Sequence, residues 1–123
     1  MRRDSSDRQW QEVKEKVRSR DKNQDRILRV LTVKEAFLLK KKAPRSMLEK
    51  LDAAHIWPVS LYPELMYSVH NIVTLNRYSH ENLDNMRCPI TGDTITYEER
   101  QAWWQRIAPA QWQKLMNQLD GDS

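Results

Sequence analysis

Apolar and polar positions along this chain alternate at two periods, and the changes of period mark its elements. Residues 4–20 carry apolar side chains at helical spacing. Trp10, Val13 and Val17 form one stripe, Ser6 with Gln9 fits a capping box, and Lys14, Lys16, Arg18 and Arg20 take the other face. A polar turn follows at residues 21–25. Residues 26–31, with Ile27, Leu28, Val30 and Leu31 apolar, read as a strand. Thr32 and Glu35 fit a second capping box and open a helix through about Lys42, with Val33, Ala36 and Phe37 expected to face inward, until Pro44 ends it. Residues 46–56, anchored by Leu48 and Leu51, lead into a short strand that ends at His55. Pro58 and Pro63 stiffen the loop after it, residues 72–75 make a second short strand, and Asn76 is a good N-cap for a helix beginning at Arg77. Residues 88–93 read as a turn. Thr96 with Glu99 caps a helix to about Ile107, and Pro109 suits the first position of another, in which Trp112, Leu115, Met116 and Leu119 recur at i, i+3, i+4 and i+7. At such spacing Trp103, Trp104 and Trp112 are core or helix–helix contacts before they are base-stacking groups.

The expected architecture is α+β and mainly helical. It is a single domain over residues 1–123, with a basic helical part at 1–45, a strand–strand–helix unit at 46–88 and C-terminal helices at 94–120. A chain of 123 residues has room for one modest core. The formal charge of +4 and a pI near 9.3 admit an acidic partner without requiring one. A single cysteine, Cys88, excludes an intrachain disulfide and a Cys-rich zinc site, and two glycines argue against a Gly-rich phosphate loop. No apolar run approaches a membrane span and the N-terminus has no signal-peptide pattern, so a cytoplasmic location is expected.

All three histidines fall in the strand–strand–helix stretch. The pattern His55-Ile56-Trp57-Pro58-Val59-Ser60, then Asn71-Ile72-Val73-Thr74-Leu75, then His80 nine residues after Asn71, resembles the HNH endonuclease family. The resemblance covers about a quarter to a third of the chain. It implies a ββα-metal core with flanking N- and C-terminal helices, and a metal-dependent endonuclease acting on DNA, of a size that suits a phage or mobile element. In that reading His55 is the general base, Asn71 holds the loop that aims it, and His80 is a metal ligand. A neutral imidazole can take a proton from water near pH 7, and one divalent metal (manganese, nickel, cobalt or magnesium) can stabilise the phosphate and the leaving oxygen.

One position departs from the family. Many HNH enzymes place Asp directly before the base histidine as a second metal ligand; here it is Ala54. Asp52 lies two residues further back, and a two-residue offset spans ~7 Å, too far to substitute without a bulge. Asp84, four residues after His80 on the expected helix, shares its face and is the better second ligand. His70, beside Asn71, is a spare candidate that an alternating strand would point the other way. Ala54 keeps a second reading open, a catalytically inactive ββα module that binds nucleic acid or a protein. Arg2, Arg3, Arg18, Arg20, Lys40, Lys41 and Lys42 are the candidate phosphate contacts. For the three lysines the helix macrodipole is already a sufficient explanation.

Overall fold

The computed structural model describes residues 5–121, and the side chains of residues 8–120. Arg2 and Arg3, and the side chain of Ser6, lie outside that set. The chain runs α1 (Ser5–Arg20), α2 (Val33–Lys42), one-turn α3 (Arg45–Leu48), β1 (Leu51–His55), β2 (Ile72–Asn76), α4 (Arg77–Asp84), α5 (Tyr97–Ile107) and α6 (Pro109–Gly121), an α+β fold dominated by helix. β1 and β2 pair antiparallel without a bulge, from Leu51 opposite Asn76 to His55 opposite Ile72. With α4 directly after β2, they form a strand–strand–helix unit.

Local sequence accounts for most element ends. Asn76 accepts the Ser79 amide at 2.8 Å and starts α4. Thr32/Glu35 and Thr96/Glu99 form complete capping boxes at α2 and α5. Packing then decides which faces are buried. β2 is buried along its whole length. Ile72 meets Val13 and Val17 of α1, while Val73 and Leu75 belong to the main core with Ile27, Leu39, Leu83, Trp104, Ile107 and Leu115. Trp104 is fully buried; Trp103 and Trp112 are half-buried against the same core, and Trp112 stacks on Trp57 with ring centroids 5.0 Å apart.

Among the described residues no strand lies beside the outer edge of β2. Side chains close it instead. Asp21 accepts the Thr74 amide at 2.9 Å, Asp25 accepts the Asn76 amide at 3.1 Å and its side-chain nitrogen at 2.7 Å, and Arg20 donates to the carbonyl oxygens of Ile72 and Val69. Asp21 in turn holds Arg20 and Arg26. Burial opposes the charge of Asp21, but these hydrogen bonds and the Arg20 charge outweigh it and lower its pKa; at Asp25 burial prevails and the pKa is raised.

Two expectations fail here. Residues 26–31 are not a strand. Asp25 caps Ile27, Arg26–Arg29 make a 3-10 turn, only Ile27 of that turn is buried, and Leu28 is 49% exposed. With side chains occupying the edge of β2, no third strand can join there. The inward face of α2 is also not the expected one. Val33 is 88% and Phe37 70% exposed, whereas Leu39 is buried and Leu38 packs beside it. Burial of Leu39, with Leu38 packed beside it, turns that side of the helix inward and the Val33–Phe37 side out, and the Glu35–Arg106 ion pair adds a weaker tie on the buried side.

Candidate active site

β1 delivers His55 to the mouth of the long β1–β2 loop. Its Nε2 lies 3.0 Å from the carbonyl oxygen of Met66. A carbonyl only accepts, so Nε2 carries the hydrogen and Nδ1 is left with the lone pair in the neutral ring. The indole of Trp10 stacks on the imidazole, with centroids 5.4 Å apart and planes 15° from parallel. The ring is thus held by a bond on one nitrogen and by a flat aromatic face.

Asn71, fully buried, ties the same loop together. Its Oδ1 accepts the Trp57 amide at 2.8 Å, and its Nδ2 donates to the carbonyls of Trp57 at 3.1 Å and Leu65 at 3.4 Å. Its own carbonyl accepts the Ile56 amide at 2.8 Å. Both sides of the loop, and the residues that follow His55, are fixed to one side chain.

On α4, His80 lies between two carboxylates. Nδ1 is 3.0 Å from Asp52 Oδ2 and Nε2 is 3.1 Å from Asp84 Oδ2. Asp52 also takes two hydrogen bonds from Arg77. Burial disfavours the imidazolium, but Asp84 and Asp52, through hydrogen bonds and charge, reverse this and raise the pKa of His80. Burial likewise works against the Asp52 charge, and Arg77 and His80 overcome it, so its pKa is lowered. Ala54 is fully buried and carries no ligating group, and Asp52 is taken up by Arg77 and His80. It supports His80 from behind. A carboxylate on one imidazole nitrogen fixes the ring and makes the other nitrogen the better metal donor.

His55 and Asp84 border one pocket of about 440 Å³, whose other walls are Pro58, Val59, Met86, Tyr97 and Arg100. Among the described residues no three His, Cys, Asp or Glu side chains are grouped to hold a metal ion. What is offered is the pair His80 Nε2 and Asp84 Oδ2, a donor set of one nitrogen and one oxygen. Their 3.1 Å separation is a hydrogen bond, and it is also the spacing that two adjacent ligands at about 2.1 Å from one cation would keep. The pair fits a divalent ion that draws its remaining ligands from water and substrate.

This chain matches no family model, no curated protein and no solved structure.

The basic residues divide. Arg18, Lys40, Lys41 and Lys42 are exposed. Arg20 instead directs its guanidinium onto Asp21 and the carbonyls of Val69 and Ile72. His70 lies in the turn Val69–Asn71 rather than on a strand; burial, then the charges of Lys114 and Arg20, lower its pKa. Trp10 as a contact of His55, and Met86, Tyr97 and Arg100 as pocket walls, carry no local signal in the sequence. The register of β1 on β2 held a clue to Asp52. Pairing Asp52 with Leu75 places it within one turn of the start of α4, in reach of Arg77 and His80. Among the described residues no helix is long and apolar enough to cross a membrane.

Proposed function

We propose that this chain is a metal-dependent endonuclease that hydrolyses phosphodiester bonds in DNA. The observation that carries the reading is the convergence on one pocket of His55, with Nδ1 left as its acceptor, and Asp84, bonded to His80. A base and one member of a cation-binding pair bordering the same pocket suit hydrolysis of a phosphodiester. The order of His55, Asn71 and His80 along the chain, with its likeness to the HNH family, supports the same reading.

In the reaction His55 accepts a proton from water as the water oxygen bonds to phosphorus. The bond from phosphorus to the leaving sugar oxygen breaks, and that oxygen takes up a proton from solvent. The Met66 carbonyl keeps the hydrogen on Nε2, so proton uptake falls to Nδ1. Asn71 fixes the loop on which this geometry depends, and Trp10 restrains the ring. His80 and Asp84 would hold a divalent cation, with Asp52 fixing the His80 ring; such an ion supplies positive charge for the phosphate and the leaving oxygen. Arg18, Lys40, Lys41 and Lys42 offer exposed charge to the DNA backbone.

One observation favours a second reading. Ala54 offers no ligand, and both nitrogens of His80 already have carboxylate partners. A closed Asp52–His80–Asp84 triad would make this a silent module that only binds nucleic acid or a protein. Nicking of supercoiled plasmid, with manganese and with EDTA, decides between them. Metal-dependent conversion to open circles supports the enzyme, and its absence with every divalent metal supports the silent module.

A further inference from the structure

α5 contributes one charged side chain to the pocket, and its position is unusual for a cation. Arg100 is only 7% exposed, yet it borders the pocket beside His55, Asp84 and Tyr97. Its Nε donates to the Leu83 carbonyl in the last turn of α4 at 2.7 Å, which holds the guanidinium at the junction of α4 and α5. Among the described residues that is the one hydrogen bond the Arg100 side chain makes, and no carboxylate approaches within ion-pair distance of it. A guanidinium has five N–H donors in a rigid fork. Arginine is almost never buried without a partner, because a single carbonyl returns only part of the cost of desolvating the charge. Burial accordingly disfavours its charged form, and Asp84 and Tyr97 compensate only through space. A helix cap alone would not need a cation; a neutral donor could serve Leu83.

We propose that Arg100 is the phosphate-binding residue of the pocket and that its terminal guanidinium nitrogens take the non-bridging oxygens of the phosphodiester to be cleaved. This rests on the endonuclease reading above. The planar fork matches two oxygens of one phosphate, and a desolvated cation is worth more to the charge that develops during hydrolysis than an exposed lysine would be. Arg100 also offsets the Asp84 carboxylate, which would otherwise repel a phosphate entering the same pocket.

The test uses the full chain with Arg100→Gln and Arg100→Lys. Binding of a short fluorescent DNA duplex is followed by anisotropy in EDTA across a salt series, nicking of supercoiled plasmid is timed in manganese, and each variant's thermal midpoint is recorded. Arg100→Gln should bind less tightly, with a salt slope smaller by about 0.9, the loss of one phosphate contact. Its nicking should fall by roughly a hundredfold, the order for losing one preorganised donor. A lowered midpoint with unchanged salt slope and rate would make Arg100 a helix cap only and overturn the proposal, while wild-type nicking would leave the endonuclease reading standing. If Arg100→Gln does not fold, Arg100→Lys decides. It keeps one donor for Leu83 but not the fork, so nicking should fall by at least about tenfold, and a wild-type rate overturns the proposal. If the wild type fails to nick with any divalent metal, the endonuclease reading fails by itself; the salt slope of Arg100→Gln then still reports whether Arg100 meets a phosphate.

Discussion

Asp52 on β1 and His80 on α4, 28 residues apart, meet at 3.0 Å, with the imidazole Nδ1 against one carboxylate oxygen. The folded pKa of His80 is raised and that of Asp52 lowered, so both groups favour the folded state as ions. The stability from His80 is complete below its unfolded pKa of about 6.5 and is lost as pH rises through the raised value. That from Asp52 is complete above about 3.9 and is lost as pH falls through the lowered value. His80 therefore favours the metal-free protein near pH 5.5 over pH 8.5, while His70, whose pKa is lowered, works in the opposite direction. His80→Gln should lower the thermal midpoint more near pH 5.5 than near pH 8.5. Thermal melts of both proteins in EDTA at the two pH values check this, and an equal slope in the variant would show that another group carries it.

A divalent ion competes with the proton for His80 Nε2, so metal should bind more tightly as pH rises through the same range. Imidazole favours transition metals, and the proposed His80–Asp84 site would offer a single carboxylate ligand. Manganese, nickel or cobalt should therefore support nicking better than magnesium, and EDTA should abolish it. Asp84→Ala removes a ligand and should raise the manganese concentration for half-maximal rate most. Asp52→Ala removes only the support of the ring and should raise it less, by roughly ten- to a hundredfold. Metal titrations of the nicking rate rank the two, and an Asp52 effect larger than that of Asp84 would mean that Asp52 itself reaches the ion.

His55→Ala should lower the nicking rate by roughly two to four orders of magnitude, the range for a positioned general base. The Met66 carbonyl loses one hydrogen bond at a partly exposed site, so the fold should survive, as far-UV circular dichroism can verify. Wild-type nicking by a folded variant would remove His55 from the mechanism.

Asp21 is a structural hub with no part in the proposed chemistry. Asp21→Ala would strand the Thr74 amide and leave Arg20 and Arg26 without their shared carboxylate. Removing one partner of a buried ion pair costs about 3–5 kcal/mol. Urea denaturation should show a loss of that size, and Asp21→Asn, which keeps an acceptor for Thr74, should lose less.

Local rules made much of this fold legible. The N-cap at Asn76, the boxes at Thr32 and Thr96, the proline at the start of α6 and the short strands around the β1–β2 loop all depend on residues a few positions apart. What sequence did not disclose depends on pairs far apart. Asp21–Asp25 reads as a polar turn because Thr74 and Asn76, which it serves, lie some fifty residues on. Arg20 reads as one more surface cation for the same reason. Val33 and Phe37 satisfy a helical pattern, but the packing of Leu38 and Leu39 into a core built from distant parts of the chain decides which face is buried. At the candidate site the positions of His55, Asn71, His80 and Asp84 in the chain suggested a grouping. The carboxylate behind His80 and the buried Arg100 needed strand register and helix packing to be seen.

The side chains that close the edge of β2 decide how portable this unit is. A fragment beginning at residue 46 would retain His55, Asn71, His80 and Asp84, and would look self-sufficient on paper. It would also lose Asp21, Asp25 and Arg20, exposing the amides of Thr74 and Asn76 and the carbonyl of Ile72, along with the indole against His55. Grafting the strand–strand–helix unit onto another scaffold therefore means moving the first helix and the turn after it, through Asp25, because in this chain Arg20, Asp21 and Asp25 together do the work of a third strand.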